Sequence, residues 1–214
     1  MPGFAAKRLF TCLSGLKTIV MNDRKSMRAF LAIELPPDIK ELIEEMKERL
    51  VPALKGIRWA RPEGMHLTLK FLGDVFQDDI VRISEVVERN ARDIAPIGLN
   101  VGLPGGFPGL KKPRVLWLGI GGDVRRLAVL QSDIENDLEK SGFPAEKKAF
   151  KPHLTLGRSM SRGGIISGAE EASNIAGEAG MHRFDARELI LFKSALKPGG
   201  AVYTKLATFL FGGH

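Results

Sequence analysis

The tetrapeptide His-Leu-Thr-Leu stands twice in this chain, at His66 to Leu69 and at His153 to Leu156. Each copy closes the same succession of apolar strand, amphipathic helix and further strand. A repeated order of elements has to pack as two similar units, so the duplication narrows the fold more than any bulk property does. Side chains alternate along a strand, so each unit presents one imidazole and one hydroxyl on a single face. In the first copy Met65, Leu67, Leu69 and Phe71 are expected on one face and His66, Thr68, Lys70 and Leu72 on the other. In the second, His153 and Thr155 alternate with Leu154 and Leu156.

The flanking elements are legible from periodicity and breakers. Arg28 to Leu35 is a short apolar run closed by Pro36-Pro37, which predicts a buried strand. Asp38 is placed to cap a helix whose apolar positions are Ile39, Leu42, Ile43, Met46 and Leu50. Ile57 to Ala60 reads as a short strand and Pro62-Glu63-Gly64 as a turn. A second helix is predicted from Asp78 to about Ile94, with Ile80, Ile83, Val86 and Val87 inward. The stretch from Gly98 to Pro113, rich in glycine and proline, predicts a strand running into a flexible loop, the expected junction between two lobes. Arg114 to Ile120 is a further strand; Asp123 is placed to cap a helix carrying Leu127, Leu130, Ile134 and Leu138, and Gly142 ends it. Residues 160 to 180 read as a short helix or a mobile loop. Lys197-Pro198-Gly199-Gly200 separates two apolar runs, Glu188 to Leu196 and Ala201 to Phe211, as a hairpin.

Composition excludes several classes. With 214 residues and 44% hydrophobic content the chain buries a real core. A single cysteine, Cys12, rules out an intramolecular disulfide and makes a reducing cytoplasm the default location. The net charge of +7 is concentrated before residue 28, where Lys7, Arg8, Lys17, Arg24 and Lys25 oppose Asp23 alone. The remaining basic clusters are local: Lys111, Lys112 and Arg114; Lys147, Lys148 and Lys151; Arg158 and Arg162. No run approaches the roughly eighteen apolar residues of a spanning helix. Residues 1–26 are expected to be a loosely ordered extension and 27–214 a single domain. No heptad run or exposed apolar stripe calls for a partner, so a monomer is expected.

If the two units pack about a pseudo-two-fold axis, one phosphate fits between the duplicated strands. A neutral imidazole then deprotonates an attacking water while a protonated one donates to the departing oxygen. Histidine suits both roles because its unperturbed pKa is about 6.5. Thr68 and Thr155 would donate to the non-bridging oxygens, and Arg158 would neutralise charge with its planar fork. The scheme needs no metal, and no zinc, calcium or triphosphate-binding motif is present, so no cofactor is expected.

These residues resemble the 2H phosphoesterases, a family marked by two His-x-Ser/Thr motifs, and within it the RNA 2′,3′-cyclic phosphodiesterases, also called 2′-5′ RNA ligases. The resemblance runs through the Arg28 to Leu35 strand, His66-Leu67-Thr68-Leu69-Lys70-Phe71-Leu72-Gly73, Lys151 to Arg158, Leu191-Phe192-Lys193-Ser194 and Tyr203. It implies an α+β fold of two pseudo-symmetric lobes, each an antiparallel sheet with helices on its outer face, around a central cleft. The implied activity is hydrolysis of an RNA terminal 2′,3′-cyclic phosphate to a 2′-phosphomonoester, with reverse 2′-5′ ligation. The implied partner is RNA with such an end, tRNA fragments among the candidates, and no membrane. His66 and His153 become the catalytic pair, with a lean toward His66 as the acid, Thr68 and Thr155 the phosphate donors and Arg158 a further phosphate ligand. Alternative readings are a phosphodiesterase on small cyclic nucleotides or 2′-5′ oligonucleotides, and a non-catalytic module that binds RNA ends. Phe30, Trp59 and Phe71 are read first as core, with only Phe30 carried forward as a base-stacking residue. Tyr203 either lines the cleft or caps the hairpin. His182 and His214 are read as surface residues.

Overall fold

The computed structural model describes residues 26–160, 167–168, 182–198 and 200–212. The expectations for residues 1–25, for most of 160–180 and for His214 lie outside them. The first strand, β1 (Ser26–Glu34), is followed by α1 (Pro37–Leu50), which starts on Pro37 because a fixed φ and a missing N–H suit the first helical turn. No side chain caps α1, so Asp38 is not the expected cap but an acidic residue in the first turn, at the positive end of the helix. Then come β2 (Ile57–Trp59), a 3-10 turn at Pro62–Gly64, β3 (His66–Phe76) and α2 (Gln77–Ala91). After these follow β4 (Ile97–Phe107), β5 (Val115–Gly122), α3 (Val124–Lys140), β6 (His153–Ser159), β7 (Arg183–Ala186), β8 (Glu188–Lys197) and β9 (Gly200–Leu210). Asp123 occupies the N-cap position of α3, although its side chain makes no capping hydrogen bond. Gly142, at φ +90°, stops that helix as expected, its N–H donating to the Glu139 carbonyl at 2.9 Å.

The strands form two antiparallel sheets, a four-stranded one in the order β3-β1-β8-β9 and a five-stranded one in the order β2-β6-β5-β4-β7. The architecture is α+β, with two sheets as expected. Neither sheet is simply one half of the chain: the C-terminal hairpin β8-β9 completes the sheet of β1 and β3, while β2 joins the later strands. Behind both sheets lies one continuous core. It contains Leu31, Ile33 and Leu67 from the first sheet, Leu116, Leu118 and Leu154 from the second, and Ile43, Ile83, Leu130 and Leu138 from the three helices. Each such side chain contributes about 1.5–3 kcal/mol by leaving water. A smaller cluster of Phe30, Ala32, Ile190 and Phe192 covers the opposite face of the four-stranded sheet. No helix among the described residues is long and apolar enough to cross a membrane.

The stretch from Gly98 to Pro113 corrects the expectation of an interlobe loop. Most of it is β4, an interior strand paired with β5 on one side and β7 on the other. Its glycines make room rather than turns: a Cβ at Gly105 would lie 2.2 Å from the Trp117 indole, which crosses that backbone. Pro104 sits where the register shifts, a place that tolerates a missing N–H. The chain changes sheet instead at α1, at the Pro62–Gly64 turn, at α2 and between β7 and β8.

Candidate active site

Both His-Leu-Thr-Leu strands carry a β-bulge just after the threonine. On β3, Thr68 pairs with Ala32 and Lys70 with Leu31, so Leu69 is the extra residue. A second shift skips Leu72. On β6, Thr155 pairs with Trp117 and Gly157 with Leu116, so Leu156 is extra. A bulge spends one residue without crossing the pleat, and every later side chain changes face. Lys70 therefore turns inward beside Leu31, and Gly157 turns inward against Ile57. Phe71 and Arg158, each five residues beyond its histidine, emerge on the same faces as His66 and His153. This overturns the simple alternation that put Phe71 with Leu67 and Lys70 with His66: Phe71 is 59% exposed and Lys70 is 1% exposed.

The imidazoles are held alike. The His153 Nδ1–H donates to the Lys151 carbonyl at 2.6 Å, and because a carbonyl only accepts, Nε2 is the nitrogen left for a ligand. His66 makes the corresponding bond to the carbonyl of Gly64, again two residues upstream. Its ring stacks on Phe30 with centroids 4.6 Å apart and meets the edge of Tyr203 at 5.1 Å. Phe30 is thus covered by His66, Phe192 at 5.2 Å and Tyr203 at 5.2 Å. At 3% exposure it has no face to offer a nucleobase, and its expected stacking role gives way to support of His66. Tyr203, a hairpin residue, reaches the His66 ring from β9. His153 instead meets the edges of Phe107 at 5.2 Å and Trp117 at 6.1 Å.

Burial pushes the His66 imidazole down to about 4 from 6.5; the Gly64 carbonyl opposes this, nearby Lys40 reinforces it, and Glu34 opposes it. Glu34, the cross-strand neighbour of His66, is bridged by Lys40 at 3.2 Å and by Lys205. Partial burial alone would raise its carboxyl, yet the two lysines hold it below the usual range. The unliganded His66 is therefore neutral at neutral pH. Among the described residues no three His, Cys, Asp or Glu side chains gather as a metal-binding group.

The two motif strands come within 8 Å, Cα to Cα. A polar network that runs from the buried Lys70 out to the surface fastens this approach. Lys70 Nζ donates to Glu135 of α3 at 2.6 Å and to the Pro144 carbonyl at 2.9 Å. Glu135 also accepts the Glu146 N–H at 2.6 Å, and Glu146 in turn accepts the Phe71 N–H at 2.6 Å. So the bulged part of β3 is tied to the segment that leads into β6. The core-facing residues of both strands share one interior, which turns His66, Thr68, His153, Thr155 and Arg158 toward the side away from it.

A family model described as LigT-like phosphoesterase matches residues 33–117 and 120–203, in two pieces that each contain one His-Leu-Thr-Leu motif. The chain belongs to the LigT-like phosphoesterase family. A relative named RNA 2′,3′-cyclic phosphodiesterase from Methanothermobacter thermautotrophicus is 32% identical over 86% of this chain and 98% of its own length. One of the same name from Methanocaldococcus jannaschii is 31% identical over 83% and 96%. The crystal structure of TT0787 of Thermus thermophilus superposes with a TM-score of 0.71 at 26% identity, covering 88% of this chain and all of that one. In this LigT-like chain Phe71 and Trp117 stand on the faces of the two histidines, and Lys70 anchors β3 from the interior, three placements that sequence reasoning did not assign. The signal for Phe71 was present, in its matching five-residue offset from the histidine to that of Arg158.

Proposed function

We propose that this LigT-like phosphoesterase opens an RNA terminal 2′,3′-cyclic phosphate to a 2′-phosphomonoester, with His66 and His153 as the acid–base pair. The observation that carries the reading is the doubled device itself: an imidazole tethered to the carbonyl two residues upstream, and a threonine hydroxyl two residues downstream, both turned away from the shared core. The names of the relatives, which cover nearly all of their own length, support the substrate. Water attacks phosphorus as one imidazole takes its proton; the P–O3′ bond breaks as the other gives its proton to O3′. Thr68 and Thr155 donate to the non-bridging oxygens and the Arg158 fork balances their charge. With the 5′-hydroxyl of a second RNA in place of water, the same attack and the same departure of O3′ would form a 2′-5′ linkage.

The lean toward His66 as the acid adds a requirement. An imidazole held at about 4 must be recharged before it can donate, and the negative phosphate placed beside it does this by raising its pKa. The bound complex, rather than the free protein, then sets the protonation state. Phe71, exposed beside the site, offers a ring for the terminal base.

The test is an RNA ending in a 2′,3′-cyclic phosphate, with the terminus identified after incubation. His66→Ala and His153→Ala should each lower turnover by about 10² to 10⁴ while the protein stays folded, as circular dichroism would show. A chelator should leave the rate unchanged. Full turnover in both single variants, or binding without conversion by the wild type, would refute the reading; the second result would favour an RNA-end binding module.

A further inference from the structure

The cross-strand register defines a row of side chains on the His153 face: Phe107 opposite Val115, Val115 opposite Arg158, and Arg158 opposite Arg58. Directly paired residues in an antiparallel sheet share a face, and the Phe107 contact with His153 fixes which face this is. Arg58 and Arg158 therefore stand side by side, both exposed, with α-carbons about 4.5–5.5 Å apart. Neither makes an ion pair or a side-chain hydrogen bond among the described residues. Two like charges placed directly opposite each other weaken a sheet. Among the described residues no carboxylate partners them as Glu34 does Lys40 and Lys205. Two adjacent forks with ten N–H donors between them are suited to an anion shared by both.

We propose, building on the activity given above, that Arg58 joins Arg158 in a second phosphate subsite that takes the internucleotide phosphate next to the terminal nucleotide. Arg158 faces both ways: toward Thr155, three residues back on the same strand, and toward Arg58 at the outer strand β2. The terminal cyclic phosphate occupies the inner end of this line and the polyanion leaves along the outer end. The site thereby distinguishes an RNA end from a free cyclic mononucleotide.

The experiment compares wild type, R58Q and R158Q on three substrates: a nucleoside 2′,3′-cyclic phosphate, a short RNA with the same end, and that RNA with a neutral methylphosphonate at its last internucleotide linkage. R58Q should reduce kcat/KM on the RNA by about tenfold more than on the mononucleotide. It should abolish the difference between the charged and neutral linkages, and lessen the salt slope by about one. R158Q should lose on every substrate. The thermal midpoint of R58Q should not fall, because a like-charge pair has been removed. Equal losses of R58Q on all three substrates, or no loss on any, overturn the subsite. If the wild type opens none of them, the proposed activity fails instead, and binding of a 3′-phosphorylated RNA decides the subsite: tighter in wild type than in R58Q supports it, equal affinity overturns it.

Discussion

His66 is half-buried against three aromatic rings, where the proposed mechanism calls for a charged imidazole. A group whose folded pKa lies below its unfolded value stabilises the neutral form, so the unfolded chain binds the extra proton. Its contribution is fully present above about 6.5 and is lost as the pH falls through about 4. Denaturation midpoints measured between these limits should drop with falling pH, and His66→Gln should flatten the drop. An unchanged slope in that variant would place the titrating group elsewhere. The same residue connects to function, since kcat/KM reports the free protein and kcat the complex. The limb of the pH profile belonging to His66 should move upward between the two. Movement of the alkaline limb identifies it as the acid, movement of the acidic limb as the base.

At the scale of elements, the bulges decide what each motif strand presents. Without the extra Leu69, Phe71 would face the interior and Lys70 the site; with it, the aromatic ring is offered outward and the ammonium is sealed inside. Because Phe71 buries little of its own surface, Phe71→Ala should leave the thermal midpoint nearly unchanged. It should weaken nucleotide binding by about 1–3 kcal/mol if the terminal base stacks there. Titration of the variant with a nucleoside 2′-phosphate measures this, and an unaltered affinity would remove Phe71 from the site. The equivalent bulge on β6 works with a smaller residue: Gly157 turns inward where a Cβ would be 2.5 Å from Ile57, and Arg158 emerges.

Across the whole molecule, the distance between the two motifs depends on a join between sheets rather than on either sheet. Lys70 reaches from β3 to Glu135 and Pro144, and Glu146 closes the circuit back to Phe71. Removing one partner of a buried pair leaves the other uncompensated, so Lys70→Met should destabilise by about 3–5 kcal/mol in urea unfolding. The double variant Lys70→Met with Glu135→Leu should regain much of this, as the stranded carboxylate goes with the lysine. No recovery would mean that packing around Lys70, and not its charge, is what matters.

The local chain was sufficient to place most of the strands, the three helices and the C-terminal hairpin, though not β7 or the full length of β4, because alternation, helical spacing and breakers act over a few residues. It was also sufficient to pick out His66, Thr68, His153 and Thr155 as candidates, since a single uninterrupted turn of the pleat separates each pair. What lay beyond it depends on partners distant in sequence. The bulges after Thr68 and Thr155 exist only relative to β1 and β5, so Phe71 and Lys70 exchanged their expected faces. Gly105 looked like a turn until Trp117 lay across it, and Phe30 looked available until His66 and Phe192 covered it. The lowered His66 pKa has the same origin: burial is a property of the assembled interior, and no window of sequence contains it.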